Sequence, residues 1–360
     1  MRYPLPVLAF SLCASLSLHA QSFTTNPNFG TNGTTLVNLY NKTTDDFVAS
    51  GINVTPDGHV LVGGSVYFDA CVNTLSPEGI DDVRYGVKGW SFYDFGGWFN
   101  NTVHDILRTP DGKTVLIGSQ EPCISMDDRY NTDEGAAVMR LLPDGSPDPS
   151  FGIAGKAMIF YSGWTIVTFS GLVQPDGKIV LLCRGESGGS GGVWARLMLA
   201  RIDANGRPDS SFGVNGIALI PQFSGDDHYL LAGNSGIALQ ADGKIVVGDL
   251  ITDQIWINYG VGSNTGPAVY RYNPNGVPDS TFGVNGVYSN HLSFYSYGIN
   301  GVLVQSDGHI VVSAAIIDSV TRNNTGWLLF RLDSSGKKLD SSFANNGLFT
   351  YTPDSAGTAA

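Results

Sequence analysis

Residues Gly236-Ile-Ala-Leu-Gln-Ala-Asp242-Gly-Lys-Ile-Val-Val-Gly248 set two short apolar runs on either side of an Asp-Gly dipeptide. Val- and Ile-rich runs flanking Asp-Gly are a hairpin signal, because the glycine supplies the positive φ a tight turn needs. The stretch recurs as Thr-Pro-Asp57-Gly-His-Val-Leu-Val-Gly, Thr-Pro-Asp111-Gly-Lys-Thr-Val-Leu-Ile-Gly, Gln-Pro-Asp176-Gly-Lys-Ile-Val-Leu-Leu and Gln-Ser-Asp307-Gly-His-Ile-Val-Val. The turn aspartates lie 54, 65, 66 and 65 residues apart. The chain is a tandem array of five units, and that periodicity governs every later reading.

A second block follows each hairpin. It reads Arg140-Leu-Leu-Pro-Asp-Gly-Ser-Pro-Asp148-Pro-Ser-Phe151-Gly152-Ile-Ala-Gly155, then Arg201 to Gly216, Arg271 to Gly286 and Arg331 to Gly347, with Ala344 in place of the glycine after Phe343. The first unit is worn: Thr74 stands where Arg belongs, and Asp82, Tyr85-Gly86 and Gly89 take the later positions. An orphan end of the block, Phe29-Gly30-Thr-Asn-Gly33, precedes the first unit. Strand a runs into the Asp-Gly turn and strand b leaves it. Strand c leads into the Arg, and strand d follows the last Gly.

Four antiparallel strands per unit predict an all-β fold, a β-propeller of five four-stranded blades over residues 21–352. Strands a and b are apolar almost continuously, as expected of blades covered on both faces. Independent small domains fail on size, since so small a unit without disulfides barely stabilises itself. For ring closure two segments compete, Thr34-Thr-Leu-Val-Asn-Leu39 and Gly347-Leu-Phe-Thr-Tyr351. Residues 353–360 form a short tail.

The pattern Gln-Pro-Asp176-Gly-Lys-Ile-Val followed by Ala200-Arg-Ile-Asp-Ala-Asn-Gly-Arg-Pro-Asp209-Ser-Ser-Phe-Gly-Val-Asn-Gly216 resembles the delta-60 repeat family of bacterial exported proteins. The strand phase is similar to that of NHL-type propellers. The resemblance covers residues 26–351 and implies a propeller, with no catalytic residues to carry over.

Composition agrees with this architecture. Gly contributes 46 of 360 residues and charged side chains only 14%, against averages of about 7% and 25%. A net charge of −12 gives no global attraction for a phosphate backbone, which disfavours nucleic acid as a partner. Residues 1–20 read as a signal peptide, with Arg2, the apolar run Val7 to Leu18 and a Leu18-His19-Ala20 cleavage site. That run is too short to span a bilayer, so the expected location is periplasmic or extracellular, without membrane insertion. Cys183 reads as a buried thiol in strand b, and Cys71 with Cys123, both placed in b–c loops, as a disulfide.

Residues present in every unit serve the blade before any single site. By that test Arg140, Arg201, Arg271 and Arg331, with Asp148, Asp209, Asp279 and Asp340, read as structural pairs that stiffen the c–d turn. The b–c and d–a connections share the opposite end of the blades. The b–c loops run roughly over 65–73, 119–136, 184–194, 250–267 and 314–326, and the d–a loops roughly over 38–47, 90–100, 161–165, 221–230 and 289–296. All six tryptophans lie in or beside them. Trp90, Trp98, Tyr130, Trp164, Trp194, Trp256, Tyr259 and Tyr295 are therefore the candidate ligand-binding residues, on a face suited to a glycan, peptide or protein.

Catalytic and metal signals are thinner. A propeller glycosidase needs two carboxylates near the axis, and six positions before the turn Asp the units carry Gly51, Asp105, Ser170, Gly236 and Gly301. Only Asp105 is acidic, beside His104, so this alternative also needs a loop carboxylate such as Asp226 or Asp227. Asp127, Asp128, Asp133 and Glu134, and Asp226-Asp227-His228, offer oxygen ligands suited to Ca²⁺ without EF-hand spacing. Ser187-Gly-Gly-Ser-Gly-Gly192 lacks the Lys of a phosphate loop and reads as a loop tip; no other cofactor is indicated. The leading expectation is a non-enzymatic binding scaffold, with the glycosidase and a structural envelope-associated role as alternatives.

Overall fold

The computed structural model describes residues 26–37, 47–66, 69–96, 99–121, 135–161, 164–189, 192–220, 235–252, 265–289, 299–317 and 324–352. They form five four-stranded antiparallel meanders in chain order, consistent with a five-bladed propeller. Blade one holds β1 (Phe47–Val54), β2 (Val60–Val66), β3 (Asp69–Leu75) and β4 (Trp90–Tyr93). Blade two holds β5 (Phe99–Arg108), β6 (Thr114–Glu121), β7 (Ala136–Leu141) and β8 (Lys156–Ile159), and blade three β9 (Thr165–Val173), β10 (Ile179–Gly189), β11 (Gly192–Ile202) and β12 (Ile217–Leu219). Blade four holds β13 (Gly236–Leu239), β14 (Ile245–Thr252), β15 (Thr265–Tyr272) and β16 (Val287–Ser289), and blade five β17 (Ile299–Val304), β18 (Ile310–Ile317), β19 (Asn324–Leu332) and β20 (Leu348–Tyr351).

The strands a to d read from the sequence are these four strands in each blade. The Asp-Gly turns close the first hairpin of each: in blade four Gly243 takes φ +83° and its N–H donates to the Gln240 carbonyl at 2.9 Å. The repeated Arg and Asp pair in the c–d corner. Arg140, Arg201 and Arg271 reach their aspartates at 2.9, 3.0 and 2.7 Å through Nε, and Arg331 reaches Asp340 at 2.6 Å through Nη2. Each guanidinium also covers a Phe ring, at 4.6 Å from Phe151, 4.6 Å from Phe212, 4.5 Å from Phe282 and 4.9 Å from Phe343. Burial opposes ionisation of Asp209 and Asp279, but the hydroxyl and amide of Ser211 or Thr281 and the Arg outweigh it and hold both carboxyls at about 2.

Apolar clusters lie between successive blades. One joins Leu61 and Val72 to Ile106 and Leu116, the next Val115 and Val138 to Leu181 and Met198, the next Leu182 and Leu199 to Val247 and Tyr270, and the next Val246 and Val269 to Val312 and Phe330. The middle blades are therefore buried on both faces, which accounts for their unalternated strands. A smaller cluster, Val66, Cys71 and Trp90 with Phe47 and Val37, covers the opposite face of blade one. The rivalry for the last d position is decided by β20, which pairs with β19 from Trp327↔Tyr351 to Phe330↔Leu348. Among the described residues the amino-terminal segment makes no hydrogen bond to the carboxy-terminal blade, and Gly30 and Thr35 bond blade one.

Three local expectations are corrected. The first b–c connection is only residues 67–68, so Cys71 sits within β3 opposite Gly64 and not in a loop. Residues 184–194 are largely strand: β10 and β11 pair out to Gly189↔Gly192, because nothing in Arg184 to Val193 interrupts the ladder. The Ser187–Gly192 stretch is therefore the end of a long hairpin. Residues 1–20 and 353–360 lie outside the described residues.

Candidate ligand-binding face

The long β10–β11 hairpin and the connection from β8 to β9 bring aromatic and cationic side chains to the variable end of blade three, Tyr161, Trp164 and Arg196 on the face turned toward blade two and Arg184 with Phe169 on the opposite face. Tyr161 and Trp164 bracket that connection, with ring centroids 6.1 Å apart and planes tilted by 48°. The Arg196 guanidinium, from β11, stands 5.8 Å from the Trp164 ring, and Arg184, from β10, stands 5.5 Å from Phe169 of β9. Trp164 also lies close over Gly185, where a Cβ would stand 3.1 Å from its ring and 2.4 Å from Met198 Cε. Tyr161 and Trp164 are half-buried, while Arg196 and neighbouring Phe160 are exposed. The arrangement offers a flat ring edge beside a cation, which suits a sugar ring or a peptide carboxylate.

Of the other candidates, Trp90 is core: it is 2% exposed and meets Phe47 edge-on at 5.1 Å, because β4 turns it toward Cys71. Trp194 lies on β11 opposite Ser187. Trp98, Tyr130, Trp256, Tyr259 and Tyr295 lie outside the described residues, as do Asp226, Asp227 and both calcium candidates. Arg184 and Arg196 were not singled out from the sequence. Their signal was present, since each is a charge outside the repeated Arg position in an otherwise apolar strand.

Asp105 stands where the inner strands converge. Its carboxylate accepts from Ser170 Oγ at 2.6 Å, from the Gly171 amide at 3.3 Å and from the Ile106 amide at 2.8 Å. Burial pushes its pKa up, and these three hydrogen bonds oppose the rise. Ser170 occupies the equivalent position in blade three, so the pair ties one inner strand to the next. Beside it, burial lowers the His104 pKa and favours the neutral ring. Among the described residues no group of three His, Cys, Asp or Glu side chains could hold a metal ion.

Cys71 and Cys183 carry free, buried thiols, and burial raises the Cys71 pKa to about 12 and that of Cys183 higher still. Cys123, the expected partner of Cys71, lies outside the described residues. Outside the loop face, an open groove runs between β4 and the blade-two c–d turn, walled by Phe92, Tyr93, Asp94, Gly145 and Lys156.

The family model for a β-propeller domain of unknown function, DUF5122, matches residues 109–151 and 256–282. No curated protein matches the sequence. Among solved structures, a protein of unknown function from Dyadobacter fermentans DSM 18053 is 12% identical, with 82% of each chain covered and a TM-score of 0.46. An exo-1,5-α-L-arabinanase from a bovine ruminal metagenomic library is 13% identical, with 81% of this chain and 94% of that one covered and a TM-score of 0.38. The polysaccharide lyase Uly1 is 13% identical over 79% of this chain and 57% of its own, with a TM-score of 0.44. Likenesses this loose carry nothing about activity.

Proposed function

We propose that this chain is an exported, non-enzymatic binding propeller of the delta-60 repeat type, which recognises a glycan, peptide or protein through its variable loop face. The Tyr161–Trp164–Arg196 cluster carries the reading. It is built from residues the repeat does not require, at the end of the blades where the connections differ. Asp105, by contrast, spends its carboxylate on three hydrogen bonds, two of which tie β5 to the neighbouring inner strand β9, an ordinary structural role. Residues 1–20 would direct the protein to the periplasm or outside the cell, and the acidic loops would bind Ca²⁺ if they bind any metal.

The test is a glycan and peptide array probed with the protein and with Trp164→Ala and Arg196→Ala, each checked for unchanged circular dichroism. Aromatic and cationic anchors at the centre of an interface cost about 1 kcal/mol or more on truncation, so binding of the true ligand should weaken about fivefold or more in each variant. Binding indifferent to both changes would remove this face as the site. Release of sugar from a polysaccharide, lost in Asp105→Asn, would replace the reading by the glycosidase one.

A further inference from the structure

The two ends of the blade array are unlike its middle. In blade four the face turned toward blade five is closed: Val246, Val269 and Tyr288 pack against blade five, and Tyr288 is 7% exposed. The equivalent blade-five residues are Val311, Leu329 and Phe349, and Phe349 is 45% exposed. Leu303, Trp327 and Tyr351 are exposed on the same face. Among the described residues no apolar cluster joins blade five to blade one.

Docking between blades also uses a fixed set of hydrogen bonds. The amides of Gly152, Gly213 and Gly283 donate to the carbonyls of Asn205, Asn275 and Ser335 in the following blade, at 2.7, 2.8 and 2.9 Å. Arg140, Arg201 and Arg271 reach the carbonyls of Ala204, Pro274 and Ser334, at 2.5, 2.6 and 2.8 Å. Among the described residues blade one receives such a bond from the orphan block and none from blade five. The Glu78 carbonyl accepts from Gly30 of the orphan block at 2.6 Å, and Thr35 Oγ1 donates to the Gly79 carbonyl at 2.6 Å.

The orphan block therefore sits on blade one as the c–d corner and d strand of a preceding blade would. Thr35 and Val37 face blade one, and Leu36, on the other face of the segment, is 81% exposed. Strands a, b and c of that blade have no counterpart among the described residues. In a ring of blades the position after blade five is also the position before blade one, so a single element there would cover both surfaces at once.

We propose that the space between blades five and one is a binding site for a three-stranded β-sheet carrying one more copy of this repeat. That sheet supplies strands a, b and c and takes Thr34 to Val37 as its fourth strand. The occupant is identified by continuity with the four interfaces already present: it needs a c strand with apolar residues for Phe349 and Trp327, and loop carbonyls for the Ala344 amide and Arg331. It needs no d strand, which a whole second copy of this chain would bring with it.

The probe is a polypeptide of residues 235–277 of this chain, which carries one a–b–c unit, added in trans to the full protein. A second form fuses the same residues through a Gly/Ser linker after Thr352, which keeps the test valid if the free polypeptide is insoluble. Occupation should slow amide exchange at Thr34 to Val37 by tenfold or more and shift Trp327 emission to the blue. Phe349→Asp and Leu36→Asp, both at exposed positions, should each weaken the trans complex at least tenfold. Unchanged exchange and emission in the fused protein would overturn the proposal. So would a stable dimer of the protein alone in which Trp327 is already shielded.

Discussion

Replacing Arg271 by Ala tests whether the repeated Arg clamps blades together or only stiffens its own corner. Arg271 holds Asp279 at 2.7 Å, with the two side chains 8% and 5% exposed, covers Phe282 and donates across the interface to Ser334. Its loss leaves a buried carboxylate with the hydroxyl and amide of Thr281 and with Lys244 at 3.4 Å. Breaking a buried pair from one side costs about 3–5 kcal/mol, and the remaining Lys places this case near 3 kcal/mol. Arg331→Ala is the matched control, because its pair with Asp340 is 14% and 13% exposed and no following blade receives it. There the cost should be clearly smaller, as for an ion pair at the edge of the fold. Urea unfolding followed by tryptophan fluorescence reads the difference as a shift in midpoint at constant slope, and amide exchange on β15 and β19 locates it. Equal losses in the two variants, or a loss below about 1 kcal/mol for Arg271→Ala, would refute the clamp.

Acid should unfold the protein through the same corners. Asp82, Asp209, Asp279 and Asp340 are held at about 2, and Asp148 lower still. Groups depressed in the fold stabilise it above their unfolded value, near 3.9, and lose that contribution as pH falls toward 2; Tm should drop steeply over that window, and a flat profile would count against the assignment. Iodoacetamide should spare Cys71 and Cys183 in the native protein and label both once it is denatured without reductant, whereas recovery of a Cys71–Cys123 linked peptide would restore the disulfide read from sequence. Ala344 holds φ +45°, a left-handed conformation that costs a residue with a Cβ about 1 kcal/mol, so Ala344→Gly should raise stability by that amount in thermal melts. Gly213→Ala should do the reverse and cost more, because its Cβ would stand 2.1 Å from the Ile217 carbonyl oxygen.

The blade order was legible because Asp-Gly turns and the Arg-to-Gly block recur at a fixed phase, and local turn chemistry sets those positions before any tertiary contact forms. What the sequence could not show is where a Gly- and Ser-rich stretch stops pairing: Ser187 to Gly192 reads as loop by composition, yet backbone ladders need no particular side chain, and β10 and β11 continue through it. Trp90 was misread for a related reason. Its position beside a variable segment said nothing of which way β4 turns it, and the apolar pocket of Phe47, Val66 and Cys71 decides that. Asp105 was found, but its partners were not, because Ser170 and Gly171 lie a whole unit away in the chain and meet it only where inner strands converge.

The departures from the repeat sort by whether a blade follows. Blade one has lost its Arg to Thr74, yet it must still dock on blade two, and it does so with other groups. Tyr85 Oη donates to the Pro143 carbonyl at 3.1 Å, the position in blade two that matches Ala204, Pro274 and Ser334 in the later ones. Tyr93 Oη adds a bond to the neighbouring Gly145 carbonyl at 3.0 Å. Arg84, two residues past Asp82, meanwhile supplies the guanidinium its carboxylate needs, at 2.6 Å. Chemistry has changed there while the contact has been kept, as expected where losing it would open an interface. Blade five shows the opposite: Ala344 has replaced the docking glycine, and the aromatic face behind it is left open. The repeat is compensated where a neighbour follows within the chain and uncompensated at blade five, where none follows among the described residues.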